Sequence, residues 1–131
     1  MGMFSGILDN AAEADAEQIQ KKFDEIFIPE EKVQAAFVLV RDTFIFTDKR
    51  LVLVNVRGTS GKNKKSEYLS IPYKSIRCFS VETAGNFNHN TELKVWLYGD
   101  HLPAVSKKIK EEKGIDIVSL QRTLAYFVMN S

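Results

Sequence analysis

Three apolar segments between residues 33 and 57 follow one another with almost no chain between them, and this spacing constrains the fold more than any other feature. They read VQAAFVLVR, TFIFT and RLVLVNVR. Side chains in each segment alternate with a period of two, which is the period of a β-strand. Asp48 and Lys49 supply a tight turn between the second segment and the third. Because such short connections join antiparallel neighbours, the sequence predicts a three-stranded antiparallel meander.

The first of these segments is apolar on both of its sides. A regular strand would place four apolar residues on one face: Val33, Ala35, Phe37 and Leu39. It would place three more on the opposite face: Ala36, Val38 and Val40. We therefore expect this strand to be covered on both faces.

Four further segments resemble strands, and they read EYLSIPY, SIRCFSVET, ELKVWLY and LPAVSKKI. Pro72 cannot donate a ladder hydrogen bond, so the end of the first of them is expected at a sheet edge or a break. Cys78 lies in the second and is expected to be a small core residue. The fourth segment suits either an edge strand or the start of a helix.

Two segments have helical periodicity. Residues 11–27 carry apolar side chains at spacings of three and four, among them Ile19, Phe23 and Ile26, and Pro29 ends the pattern. Near the carboxyl terminus, Asp116 is a candidate N-cap for an amphipathic helix that continues to Val128.

The fold class follows from this order of segments. We predict a mainly β fold, α+β by content, in which about seven antiparallel strands form a strongly bent β-sandwich or open barrel. The C-terminal helix would cover one end of it. With 131 residues, the chain can form one domain that removes roughly two-thirds of its unfolded surface from water.

Composition excludes several function classes. The chain has 18 Lys and Arg against 17 Asp and Glu, so no overall field attracts nucleic acid, and no nucleic-acid partner is expected. Most aromatic side chains are expected in the core: Phe37, Phe44, Phe46, Phe79, Trp96 and Phe127. One cysteine cannot form an internal disulfide, and no apolar run reaches the roughly 18 residues that span a bilayer. A cytoplasmic location is expected.

Residues suited to catalysis are few. The two histidines, His89 and His101, lie in expected loops without a Cys or a second His at ligand spacing. The Gly61-Lys62 pair lacks the earlier glycine, the following Ser or Thr, and the helix of a phosphate-binding P-loop. We expect no enzymatic activity, no metal and no cofactor.

Residues 28–130 resemble the bacterial pleckstrin-homology (PH) domain family. The likeness lies in IPEEKVQAAFVLVRDTFIFTDKRLVLVNVRG, YLSIPYKSIRCFSVETAG, ELKVWL and LQRTLAYFV, in that order. It implies a PH-like domain over 28–131 with an additional helical extension over 1–27. It also implies absence of catalysis and assembly into homo-oligomeric rings, often pentamer-like, but it brings no settled ligand.

The loop after the third strand is basic, with Arg57 at its base and Lys62, Lys64 and Lys65 within it. One interpretation is a contact with anionic lipid, since three lysines at about 1 kcal/mol each would contribute roughly 3 kcal/mol. The other is a solvated turn whose lysines favour solubility and prevent edge pairing.

The N-terminal helix needs a surface for its apolar stripe of Ile19, Phe23 and Ile26. That surface belongs either to its own subunit or to a neighbouring subunit or protein partner. Taken together, the sequence predicts a non-enzymatic interaction module that self-assembles and binds protein. The alternative is a module peripheral to the inner face of the membrane, which contacts anionic lipid through the loop 57–65.

Overall fold

A computed structural model describes residues 15–39, 41–58, 63–83, 90–110 and 117–131. The chain divides after Pro72 into two compact units. The N-terminal unit contains a short helix and four strands, and the C-terminal unit contains three strands and a longer helix. This order of elements agrees with the prediction.

The N-terminal unit is an antiparallel meander in the order β1-β2-β3-β4. Its strands are β1 (Val33–Val38), β2 (Asp42–Thr47), β3 (Arg50–Arg57) and β4 (Lys65–Pro72). The turn between β2 and β3 is tight because the Thr47 hydroxyl accepts the amides of Lys49 and Arg50, each at 3.0 Å. The predicted meander is therefore confirmed.

Strand β1 departs from the regular alternation that the sequence predicts. The register shifts between Val33 and Ala35, so Val33 lies in the same apolar cluster as Ala36 rather than on the opposite face. The strand is buried on both faces from Ala35 to Phe37, whereas Gln34 is half-buried and Val38 is 48% exposed. The expectation that both faces are covered is therefore correct for the first part of the strand and wrong at Val38. The bulge explains why Val33 lies on the same face as Ala36.

The N-terminal helix, α1 (Ala16–Lys22), is shorter than predicted. Asp15 caps it by accepting the amide of Glu17 at 2.9 Å, and a 3-10 turn, Asp24–Ile26, follows it. Residues 11–14 of the predicted helix lie outside the described residues. Its buried residue is Ile19.

The C-terminal unit has an antiparallel sheet in the order β5-β6-β7. Its strands are β5 (Ile76–Glu82), β6 (Asn90–Leu97) and β7 (Val105–Lys110), so the undecided segment 102–109 is a strand rather than a helix start. Helix α2 (Ile117–Met129) buries its apolar side, and its Phe127 ring stacks on Tyr73 at 5.0 Å. The predicted cap, Asp116, lies outside the described residues.

Two expectations about the core need comment. Cys78 is exposed, not buried, because a register shift between Ile76 and Cys78 places the thiol on the opposite side of β5 from buried Ile76. Phe37, Phe44 and Phe46 are buried as predicted. The other aromatic residues assigned to the core are only partly buried: Phe79, Trp96 and Phe127.

Candidate interaction surfaces of the N-terminal unit

Strand β4 is an edge strand with an exposed surface. It pairs with β3 along its whole length, from Arg57 opposite Lys65 to Arg50 opposite Pro72, and it is the last strand in the sheet order. Its residues from 65 to 70 are all exposed, and of its eight residues only Ile71 is buried. Lys65 and Pro72 discourage pairing at its two ends, but the middle is less protected, since Tyr68 is 47% exposed and Leu69 is 38% exposed. The prediction that Pro72 lies at an edge is confirmed.

The basic loop between β3 and β4 is only partly described. Lys62 lies outside the described residues. Arg57 forms an ion pair with Glu67 across the hairpin, at 3.1 Å between Nη2 and Oε1. The carboxylate of Glu67 thus balances the charge of Arg57, one of the four cations predicted to contact lipid. Lys64 and Lys65 are exposed, and no ion pair joins either of them to a carboxylate within the described parts of the chain.

A fifth cation, Arg41, lies beside this hairpin. Its Nη1 donates to the carbonyl of Gly58 at 3.3 Å, and its own carbonyl accepts the amide of Val56 at 2.9 Å. Arg41 lies in the connection between β1 and β2, and the prediction of the basic loop did not include it. The signal was available, because in a four-stranded meander the first and third connections lie at the same end of the sheet.

The hairpin base also fixes the geometry of this surface. Gly58 has φ +90, and a Cβ there would lie 2.1 Å from the carbonyl oxygen of Asn63. Only glycine is compatible with both the left-handed backbone and the close approach of the returning strand. Gly58 thus allows the two strands to approach closely at the base of the hairpin, next to the exposed Lys64 and Lys65.

The apolar stripe of α1 packs on its own sheet. Ile19 is 6% exposed and lies in one cluster of buried side chains, which also contains Val33, Ala36, Ile45, Val52 and Val54. Phe23 and Ile26 pack against this cluster and are partly buried. Ile19 therefore offers almost no surface to another chain, whereas a neighbour contact by Phe23 or Ile26 stays a prediction.

A second contact extends the stripe towards the edge strand. The Phe23 ring meets Tyr68 of β4 edge to face, with centroids 6.4 Å apart, and Lys22 lies 5.4 Å from the centre of the Phe23 ring. Because Tyr68 remains 47% exposed, the helix covers only part of it. Helix and edge strand thus present one continuous aromatic and basic surface.

Below this surface, a buried carboxylate fastens the segment before β1 to the sheet. The side chain of Glu31 is fully buried and accepts Arg50 Nε at 2.9 Å and Nη2 at 3.0 Å. It also accepts the hydroxyl of Thr47 at 2.7 Å and the amide of Ile28 at 3.1 Å. Each carboxylate oxygen of Glu31 therefore accepts two hydrogen bonds, which compensate for the burial of its charge.

Arg50 distributes its other donors over neighbouring elements. Nη2 donates to the carbonyl of Ile26 at 2.6 Å, and Nη1 donates to the hydroxyl of Ser70 on β4 at 2.6 Å. Gln20 of α1 adds a third link, since its amide donates to the Glu31 carbonyl at 2.9 Å and its oxygen accepts the amide of Val33 at 2.6 Å. Helix, turn and edge strand are therefore held in one hydrogen-bonded arrangement.

The electrostatics of the pair follow from its geometry. Burial acts to raise the pKa of Glu31, but the hydrogen bonds from Arg50, Thr47 and the Ile28 amide outweigh it, so the pKa lies below its ordinary value. The hydrogen bonding that Arg50 donates to Glu31 also raises the pKa of Arg50. Both groups are charged at neutral pH, and nothing in this pair provides a poised acid or base.

The described residues offer little for catalysis or metal binding. They contain no group of three or more His, Cys, Asp or Glu side chains that could hold a metal ion. His101 is exposed, and His89 lies outside the described residues. An open groove of about 340 Å³ beside α1 is lined by Glu17, Lys21, Lys32 and Gln20 among others. Both polar atoms of the Gln20 side chain are hydrogen-bonded to the backbone of the same unit, to the Glu31 carbonyl and the Val33 amide.

Comparison with known proteins identifies the family. The model of the bacterial PH domain matches residues 2–128. The chain belongs to the bacterial PH-domain family. The match begins before α1 and includes it, and the division into a 1–27 extension and a 28–131 domain stays a prediction.

Three relatives show how closely this PH domain resembles known members. It is 49% identical over 129 residues to the uncharacterized protein YjqA of Bacillus subtilis, covering 98% of this chain and 100% of YjqA. A crystal structure of a DUF1696 family protein with a PH domain from Shewanella loihica matches with 39% identity and a TM-score of 0.72, covering 91% of this chain and 97% of that one. A PH domain from Shewanella amazonensis matches with 40% identity and a TM-score of 0.71, covering 88% and 99%. The predicted PH-like fold class is therefore confirmed.

Membership in this family favours a non-catalytic interaction module in general. No helix in the described segments is long and apolar enough to cross a membrane.

Proposed function

We propose that this bacterial PH domain is a non-enzymatic module that assembles with copies of itself into a ring and binds protein partners through its exposed strand edges. The observation that carries the proposal is β4, an eight-residue edge strand in which six consecutive residues are exposed. An edge strand of this length can accept a further strand by main-chain hydrogen bonding.

The chemistry of β4 suits a specific contact better than a solvated edge. Tyr68 and Leu69 provide apolar surface in the middle of the strand, and Lys65 and Glu67 provide charges of opposite sign near its start. Two copies joined through different surfaces form a head-to-tail contact, and repetition of such a contact closes into a ring when the rotation permits. A pentamer-like ring is the stoichiometry that the family resemblance implies.

Native mass spectrometry and light scattering of the full chain test this proposal. We compare the wild type with Leu69→Lys, which adds a charge to the centre of the edge. Val118→Lys is the control, because Val118 is also a half-exposed apolar residue but lies on α2. We expect an oligomer that Leu69→Lys dissociates and Val118→Lys preserves. A monomeric wild type would refute self-assembly. A Leu69→Lys variant that still forms the oligomer would refute the role of β4.

A second candidate is a peripheral membrane module, favoured by the exposed Lys64 and Lys65 together with Arg41 at the same hairpin. At about 1 kcal/mol for each cation near an anionic surface, this cluster would bind weakly as a monomer. Several copies on one face of a ring would bind much more strongly, because each further contact is intramolecular.

Co-sedimentation with anionic and neutral vesicles at low and high salt tests this candidate. We compare the wild type with a Lys62, Lys64, Lys65→Ala triple variant. Binding that requires anionic lipid, weakens with salt and disappears in the variant supports the candidate. Equal sedimentation of both proteins contradicts it.

A further inference from the structure

The connection between β6 and β7 carries an apolar tip. Leu102 is 78% exposed and Tyr98 is 67% exposed. Leu102 is the most exposed large hydrophobic side chain among the described residues. A single exposed leucine requires no explanation, but two large apolar side chains in one short connection mark a candidate contact surface.

The backbone holds this tip in a defined conformation. The amide of Asp100 donates to the carbonyl of Leu97 at 3.1 Å, which forms a turn around Gly99 with φ +91. The amide of Ala104 donates to Val95 at 2.8 Å and closes the hairpin. Leu102 therefore lies between a hydrogen-bonded turn at Leu97–Asp100 and the hydrogen bond of Ala104 that closes the hairpin.

Cations flank the base of the tip. The amide of Tyr98 donates to the carbonyl of Ser75 at 3.0 Å, and Leu97 is the register partner of Ile76. Lys74 precedes Ser75 and Arg77 follows Ile76, and both of these basic side chains are exposed. The C-terminal unit therefore places two positive charges next to the strand end from which the apolar tip projects.

The charge that matters for the tip is local. Over residues 73–131 the sequence carries eight Lys and Arg against six Asp and Glu, and over residues 13–72 it carries ten of each, so neither half has a strong net charge. Lys74 and Arg77 nevertheless place two exposed cations beside the apolar tip. This local charge favours an anionic surface as the partner of the tip.

We propose that Tyr98 and Leu102 insert into the boundary between headgroups and acyl chains of an anionic lipid bilayer, while Lys74 and Arg77 contact the headgroups. An apolar apex, an amphipathic tyrosine and flanking cations correspond to the layers of a bilayer surface. Asp100 opposes the contact, because its carboxylate lies within the tip. The tip belongs to the C-terminal unit, whereas the basic hairpin belongs to the N-terminal unit. The proposal rests on the second candidate function only because it requires the protein to bind vesicles.

The first experiment measures co-sedimentation of the full chain with phosphatidylcholine vesicles and with vesicles of phosphatidylcholine and phosphatidylglycerol in equal amounts. The Leu102→Gln variant removes one leucine from the contact, so we expect its partitioning onto the vesicles to fall by about tenfold to a hundredfold. Asp100→Asn removes a negative charge from the tip, so it should strengthen binding to the anionic vesicles by about fivefold and leave binding to the neutral vesicles unchanged. Met129→Gln is the control, because Met129 is 73% exposed on α2 and outside the tip.

A second experiment reports insertion directly. With Trp96→Phe removing the natural fluorophore, Leu102→Trp places an indole at the apex, and lipids brominated on their acyl chains should quench its fluorescence. Binding that depends on Leu102, with quenching, supports the proposal. Vesicle binding that is lost in the triple lysine variant but unchanged in Leu102→Gln refutes insertion and leaves the second candidate function intact. A wild type that binds neither vesicle refutes both and leaves the tip to a protein partner.

Discussion

Arg50 binds the carboxylate of Glu31 with two hydrogen bonds, from Nε to Oε2 at 2.9 Å and from Nη2 to Oε1 at 3.0 Å. The arginine begins β3, and the glutamate precedes β1. The Glu31 side chain is fully buried, whereas that of Arg50 is 23% exposed. Substitution of Glu31 and substitution of Arg50 should therefore change the stability of the protein by different amounts. The pair determines where the turn before β1 and the end of α1 lie on the sheet.

We expect Glu31→Gln to lower the free energy of unfolding by about 3 kcal/mol, because it leaves the Arg50 guanidinium without its counter-charge in a partly buried position. Urea denaturation at neutral pH measures this change. Glu30→Gln is the control, since Glu30 is the neighbouring residue and is exposed. A Glu31→Gln variant as stable as Glu30→Gln would contradict a stabilising role for the pair.

The stabilisation from Glu31 should depend on pH with a definite sign. Its pKa is lowered in the folded protein, so its contribution is present above the unfolded pKa of about 4.3 and is lost as the pH falls through the folded value. The stability difference between the wild type and Glu31→Gln should therefore shrink as the pH is lowered below about 4. Urea midpoints of both proteins between neutral and acidic pH measure it. A difference that stays constant over this range would show that Glu31 keeps an ordinary pKa.

Glu30 occupies a backbone conformation that glycine would adopt more easily. Its φ is 70, and the amide of Glu31 donates to the carbonyl of Ile28 at 3.0 Å, with Pro29 at the second position of the turn. This is the pattern of a type II turn, which requires a positive φ at its third position. We expect Glu30→Gly to raise the free energy of unfolding by about 0.5–1 kcal/mol, since relief of left-handed strain exceeds the added entropy of the unfolded chain.

Glu30→Ala is the matched control for this turn, because it removes the same carboxylate but keeps the Cβ. Thermal and urea unfolding should place Glu30→Ala close to the wild type and Glu30→Gly above both. Equal stability of the two variants would mean that the backbone at Glu30 is not strained.

Ile19 tests whether α1 packs on its own subunit. Its side chain lies in the buried cluster with Val33, Ile45 and Val52, so Ile19→Ala should cost about 2–4 kcal/mol of stability. The loss should not change with protein concentration, whereas packing on a neighbouring subunit would make it concentration-dependent. Gln18→Ala, an exposed position of the same helix, should cost less than about 0.5 kcal/mol. Unfolding of both variants at several protein concentrations makes the comparison.

Strand positions were predictable where the sequence pattern is regular. The third apolar segment was predicted as RLVLVNVR, and β3 has these same bounds, Arg50–Arg57. The C-terminal helix was also predicted to within a residue at its end. Predictions failed where an extra residue shifts the alternation, as for Val33 before the bulge in β1 and for Cys78 after the shift in β5. A bulge changes which side chains share a face without any clear signal in the residue types around it.

The sequence by itself determined the first six strands, their short antiparallel connections and the C-terminal helix, because local alternation and turn residues act over a few neighbouring positions. It left the seventh segment between a strand and the start of a helix, and the structure shows a strand. Only the tertiary structure decided that Glu31 meets Arg50, that Arg41 joins the basic hairpin and that Ile19 is buried on its own sheet. Each of these contacts joins residues more than ten positions apart. A charged side chain looks the same in the sequence whether its partner is water or a distant residue, and only the folded chain distinguishes the two.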